Sequence, residues 1–177
     1  MVTIIFESHG TTFDNEAHLA SGRYDVELSP LGIAQSKALG ERYRDQTFDA
    51  IFCSDLQRSY RTGEVAFADR GFSIIKDQRL SECDYGEWTR RLSDEVEKER
   101  PHRVDIPFPG GKSYQQCAEG MKSFLDELIQ THNGKKVMVI GSRATQFGLE
   151  HWINHVPLAD AVNAPWKWQP GWKYELS

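Results

Sequence analysis

Val2-Thr3-Ile4-Ile5-Phe6 followed at once by Glu7-Ser8-His9-Gly10-Thr11-Thr12 (VTIIFESHGTT) is the stretch from which the fold is read. A short apolar, β-branched run predicts a buried strand. The small polar residues behind it predict that the chain leaves the sheet there, carrying a histidine at the strand's carboxyl end. Three further runs are similar: Phe48 to Cys53 (FDAIFC), Phe72 to Ile75 (FSII) and Val137 to Ile140 (VMVI). Segments of helical period separate them. Ser29-Pro30 opens one helix, with Ser29 as N-cap and Ile33, Leu39 and Tyr43 on its buried face. Asp55 or Ser54 is expected to cap a second, Leu56 to Ala68. A third runs from about Ser113 to His132, with Cys117, Met121, Phe124, Leu125 and Leu128 at helical spacing, and a fourth starts near Ala144.

Strands alternating with helices predict an α/β fold, a three-layer α/β/α sandwich around a mostly parallel sheet with right-handed crossovers. The chain of 177 residues fits a single domain over 1–177. Thr89 to Lys112 stands apart: it is highly charged, then rich in proline and glycine (PFPGGK), and is read as a flap over one edge of the site.

The net charge of −5 argues against a global attraction to nucleic acid or an anionic membrane. No apolar run approaches a membrane span and no signal peptide follows Met1, so a soluble, cytoplasmic protein is expected. Cys53, Cys83 and Cys117 are odd in number and widely spaced, which suggests reduced thiols rather than disulfides or zinc ligands. His151 and His155 have metal-pair spacing but no third ligand nearby, and are read as exposed helix. Trp166, Trp168 and Trp172 are read as packing residues.

Ligands of open α/β sheets bind outside the carboxyl ends of the strands. There the chain places Ser8, His9, Gly10, Thr11 and Thr12, then Ser54, Asp55 and Arg58, then Arg79, Glu82 and Asp84, and finally Gly141, Ser142 and Arg143. Guanidinium groups suit phosphate, a histidine can act as nucleophile or base, and a carboxylic acid can protonate a leaving oxygen. Phosphoryl transfer uses all three.

These residues sit in ordered motifs, SHGTT, GRYDVELSPLG, CSDLQRSYRT, RLSECDYGEW and FPGGKSY, that together resemble the histidine phosphatase superfamily, which includes the cofactor-dependent phosphoglycerate mutases. The terminal WQPGWKYEL resembles a bacterial branch of small members that tends to lack the family's first arginine. The resemblance implies that His9 is the nucleophile, that Glu82 is the proton donor, and that Arg58 holds the phosphoryl oxygens. Asp84 and Glu87 are close enough to Glu82 to be alternative acids. Ser142, Ser8, Thr12, Arg23 and Arg143 complete the expected phosphate-binding set, with Lys112 a further contributor by its position in the motif. The product would be a phosphomonoesterase acting on a small phosphorylated metabolite, without cofactor or metal. No nucleic acid or membrane partner is expected, and association into a homodimer is left open.

Two positions depart from the family pattern. Ser8 stands where the family has arginine, and Ser142 where it has a second histidine. Each exchange puts a neutral hydroxyl in place of a cationic donor, and charge-assisted bonds are about twice as strong as neutral ones. Two alternatives follow: a catalytically impaired member that binds a phosphorylated or other anionic ligand, and a repurposed one in which His9 is a general base or Ser142 the nucleophile.

Overall fold

The computed structural model describes all 177 residues. In chain order the elements are β1 (Val2–Ser8), α1 (Phe13–Glu16), α2 (Pro30–Arg42), β2 (Ala50–Cys53), α3 (Gln57–Phe67), β3 (Ile74–Lys76), α4 (Ser93–Glu99), α5 (Tyr114–His132), β4 (Lys136–Gly141), α6 (Arg143–Trp152), α7 (Leu158–Asn163) and β5 (Trp172–Leu176). The strands lie in the order β3-β2-β4-β1-β5. The first four are parallel, and β5 closes the β1 edge antiparallel. The sheet is therefore the expected one with an added fifth strand.

Successive strand side chains point to opposite faces, and each face has its own core. Ala50, Phe52, Val137 and Val139 pack with Met121, Phe124, Leu125 and Leu128 of α5. Ile51, Cys53, Met138 and Ile140 pack with Leu39 of α2 and Phe67 of α3. A third cluster lies beside the sheet, where Val96 of α4 and Phe108 join Tyr85, Tyr114, Phe147 and Leu158. Val96 and Phe108 are each only 1% exposed, so the charged 89–112 segment is held by apolar anchors of its own.

The caps follow the sequence with one exception. Ser29 accepts the Gly32 amide, and Ser113 accepts that of Gln116. At α3 neither Ser54 nor Asp55 caps in the expected way. Asp25, 32 positions earlier, accepts the Gln57 amide at 2.7 Å, while Ser54 Oγ takes only that of Leu56. The Asp55 carboxylate is already engaged by Arg23 and by Ser81.

The parallel register sets Ser8 beside Gly141 and Cys53 beside Ile140. The carboxyl ends of β1, β4 and β2 thus share one edge, and the turns carrying His9, Ser142 and Arg58 leave the sheet side by side. No helix is long and apolar enough to cross a membrane.

Candidate active site

His9 is fixed once through its backbone and once through its ring. Its amide donates to Gly141 O at 3.1 Å, and its Nδ1 lies 2.7 Å from Gly10 O. A carbonyl only accepts, so Nδ1 carries the hydrogen and Nε2 keeps its lone pair. Burial, followed by the Arg58 charge, lowers the imidazole from its ordinary 6.5 to about 4, against a smaller opposing pull from Gly10 O. The ring is neutral at neutral pH.

Two glycines hold this turn in place. A Cβ on Gly10 would stand 2.6 Å from Gly32 O, and one on Gly32 would stand 2.0 Å from Thr11 O. The SHG and PLG motifs therefore pack backbone to backbone, joined by the Ser29 amide donating to Thr11 O at 3.0 Å.

The first turns of α3 fasten the same loop. Thr62 Oγ1 accepts the Gly10 amide at 3.0 Å and donates to Arg58 O at 2.7 Å, while Ser59 Oγ donates to Ile140 O and accepts the Ser54 amide. Arg58 is 3% exposed, and its two terminal nitrogens donate to Tyr24 O (2.9 Å) and Gly22 O (2.6 Å). Carbonyls orient the guanidinium without neutralising it, so its positive charge remains available to an anion. Burial pulls its pKa below the usual arginine value even though Glu82 lies close enough to oppose this.

A cleft of about 730 Å³ opens over these groups. Ser8, His9, Arg58, Glu82, Ser142 and Arg143 all line it, together with Tyr85 and Arg100. Of the three acids near the third strand only Glu82 reaches the cleft. Asp84 caps the Gly86 amide, and Glu87 is exposed. Ser142 is 5% exposed, its amide is taken by Thr145 Oγ1, and its own hydroxyl is buried with no partner.

The structure places the other expected residues elsewhere. Thr12 is fully buried, its hydroxyl accepting the Asn15 amide as the cap of α1, so it has no face toward the cleft. Arg23 forks onto Asp55 at 3.1 and 3.3 Å, a half-exposed ion pair outside the lining. Arg79 is tied to Asp77 and Glu127, and Lys112 is exposed away from the cleft. His151 is half-buried against Val156 O rather than exposed, and no group of three or more His, Cys, Asp or Glu side chains is disposed to hold a metal.

Trp172 packs against Phe6, as expected, but Trp166 and Trp168 are 43% and 54% exposed and form a wall of the cleft. The 89–112 segment contributes Ser93, Val96, Glu97 and Arg100. Arg100 stands at the end of DEVEKER, a run that reads as a solvated face. The buried Val96 one helical turn earlier is the signal that Arg100 turns inward.

A family model described as the histidine phosphatase superfamily, branch 1, matches residues 4–167. The chain is 33% identical over 151 residues to phosphoserine phosphatase 1 of Hydrogenobacter thermophilus, covering 79% of this chain and 70% of that one. It is 31% identical to the 2,3-bisphosphoglycerate-dependent phosphoglycerate mutase of Allorhizobium ampelinum, over 77% and 72% of the two chains. In fold it resembles the alpha-ribazole phosphatase of Shigella flexneri, with a TM-score of 0.79 at 20% identity, over 90% of this chain and 83% of that one. With the family model spanning the four parallel strands from residue 4 onward and every cleft residue but Trp168, the chain belongs to branch 1 of the histidine phosphatase superfamily.

Proposed function

We propose that the protein is a phosphomonoesterase that works through a phosphohistidine on His9 and acts on a small phosphorylated molecule. The observation that carries this reading is the pairing, in one cleft, of a neutral imidazole held by Gly10 O with the un-neutralised guanidinium of Arg58. Family membership, and relatives that include a phosphoserine phosphatase, support it.

His9 Nε2 attacks phosphorus while the ester P–O bond breaks, and Glu82 passes its proton to the departing oxygen. Water then attacks the phosphohistidine in line, giving its proton back to Glu82 as the P–N bond breaks. Arg58, fixed in advance by two carbonyls, needs no reorganisation to meet the charge on the equatorial oxygens. Ser8 and Ser142 line the cleft as neutral donors.

One observation favours a second reading, an anion-binding protein of low turnover: the buried Ser142 hydroxyl offers no charge where the family pattern has an imidazole. Hydrolysis of a generic phosphomonoester by the chain and by Ser142→His separates the two. Losing one preorganised donor costs on the order of 10²-fold, so Ser142→His is expected to gain about that factor. Activity that is absent from both proteins overturns the phosphatase reading.

A further inference from the structure

We propose that Arg100 and Arg143 form a second anion subsite, so that the substrate carries a carboxylate or a second phosphate on the leaving-group side of the phosphoryl being transferred. The inference rests on the phosphoryl-site reading above and names a property of its substrate.

Of the other half-buried arginines, Arg23, Arg79 and Arg103 each meet a carboxylate, and Arg70 spends both terminal nitrogens on the carbonyls of Tyr43 and Gln46. Arg100 and Arg143 differ. The Arg100 side chain is 13% exposed, and its nearest carboxylate, on the largely exposed Glu97, is 3.6 Å away. Arg143 makes one long bond to Ala164 O, at 3.4 Å, and no ion pair. The Nε atoms of both are buried with no partner. Both guanidinium carbons lie over one ring, that of Phe147, at 5.9 and 5.1 Å from its centroid, with Trp166 5.7 Å from Arg143.

Two like charges are thus gathered around a single aromatic side chain in partial burial, with only the exposed Glu97 carboxylate in ion-pair range of Arg100 and none in range of Arg143. Such a cluster is costly unless an anion completes it. Burial, and after it the Arg100 charge, lowers Arg143 to about 10, whereas Arg100 itself is raised, because Tyr114, Tyr85, Glu82 and Glu97 outweigh its burial.

Their position fits the leaving group. Both line the cleft that holds His9 and Glu82, and both continue into an adjoining hollow of about 460 Å³ with Asn163 and Trp166. Glu82 acts electrostatically on Arg58, on Arg100 and on Arg143. In an in-line displacement the departing oxygen lies opposite His9 and faces the acid, so whatever that oxygen carries extends past Glu82. An anionic tail there meets the arginine pair.

Calorimetric titration of the full chain with three non-hydrolysable probes tests this: propylphosphonate, 3-phosphonopropionate and propane-1,3-diphosphonate. A charge-assisted bond to a tail is expected to make at least one two-anion probe about tenfold or more tighter than propylphosphonate. That advantage should shrink about tenfold in Arg100→Gln and in Arg143→Gln. The tail with the greater advantage, carboxylate or phosphonate, identifies the group. Arg100→Lys and Arg143→Lys, which keep the charge but lose the fork, replace any glutamine variant that fails to fold, and a reduced advantage is expected from them too. Equal affinity for all three probes, no binding by any of them, or an advantage untouched by both substitutions overturns the proposal. Because phosphonates are not turned over, a protein that discriminates the tails yet hydrolyses no ester retains the subsite and refutes only the phosphatase reading.

Discussion

The depressed His9 imidazole makes stability depend on pH in a direction that is fixed by the structure. In the unfolded chain the ring takes a proton near 6.5, but in the native state only near 4. As pH falls below 6.5 the unfolded state binds a proton that the folded state refuses, so stability present at pH 7 is lost progressively down to about pH 4. The full interval corresponds to about 3.4 kcal/mol. His9 keeps part of its surface open to the cleft, where water screens the Arg58 charge, and about 2 kcal/mol is the expected contribution. The perturbation is His9→Gln, which removes the titration and leaves a side chain of similar size. Urea denaturation of both proteins at pH 7 and pH 4.5 should show the wild type losing about 2 kcal/mol more than the variant over that interval. A proton NMR titration of the His9 ring should place its midpoint well below 6. Parallel losses in the two proteins, or a midpoint at 6.5, would refute the reasoning that burial and Arg58 hold the nucleophile neutral.

Two further predictions concern the scaffold behind that ring. Ser59→Ala removes the bond to Ile140 O and strands the Ser54 amide, and should cost about 2–3 kcal/mol in urea denaturation; a loss under 1 kcal/mol would mean the tie between α3 and β4 is slack. Gly32→Ala gains about 1 kcal/mol of helix propensity, but its Cβ would lie 2.0 Å from Thr11 O. Overpacking costs about 1–3 kcal/mol, so net destabilisation is expected, with a displaced His9 amide resonance as the local readout. An unshifted resonance would contradict the backbone-to-backbone docking of the two motifs.

The strand-end logic that put His9, Arg58, Glu82 and Ser142 in one place was legible because strand and helix periods are local. What lay between those motifs was not. β5 escaped because WKYEL is a five-residue edge strand whose alternation, with only Tyr174 and Leu176 buried, is too short to read without its partner β1. Asp25 capping α3 is a contact across 32 positions that no local signal announces. Thr12 and Arg23 belong to the family-like motifs SHGTT and GRYDVELSPLG, yet the Thr12 hydroxyl is needed by a helix terminus and the Arg23 side chain by Asp55. Arg100 was hidden by its acidic neighbours, since charge composition does not say which face of a helix is covered.

The account stands most directly on phosphate transfer to one named nitrogen. Mixing the protein with a generic phosphomonoester, quenching within milliseconds to seconds in alkali, and locating the added mass by peptide mass spectrometry tests it. The expected result is one acid-labile phosphoryl group on His9 that is absent from His9→Ala. Hydrolysis that proceeds with no phosphate on His9 at any quench time, or that survives His9→Ala, would contradict the account.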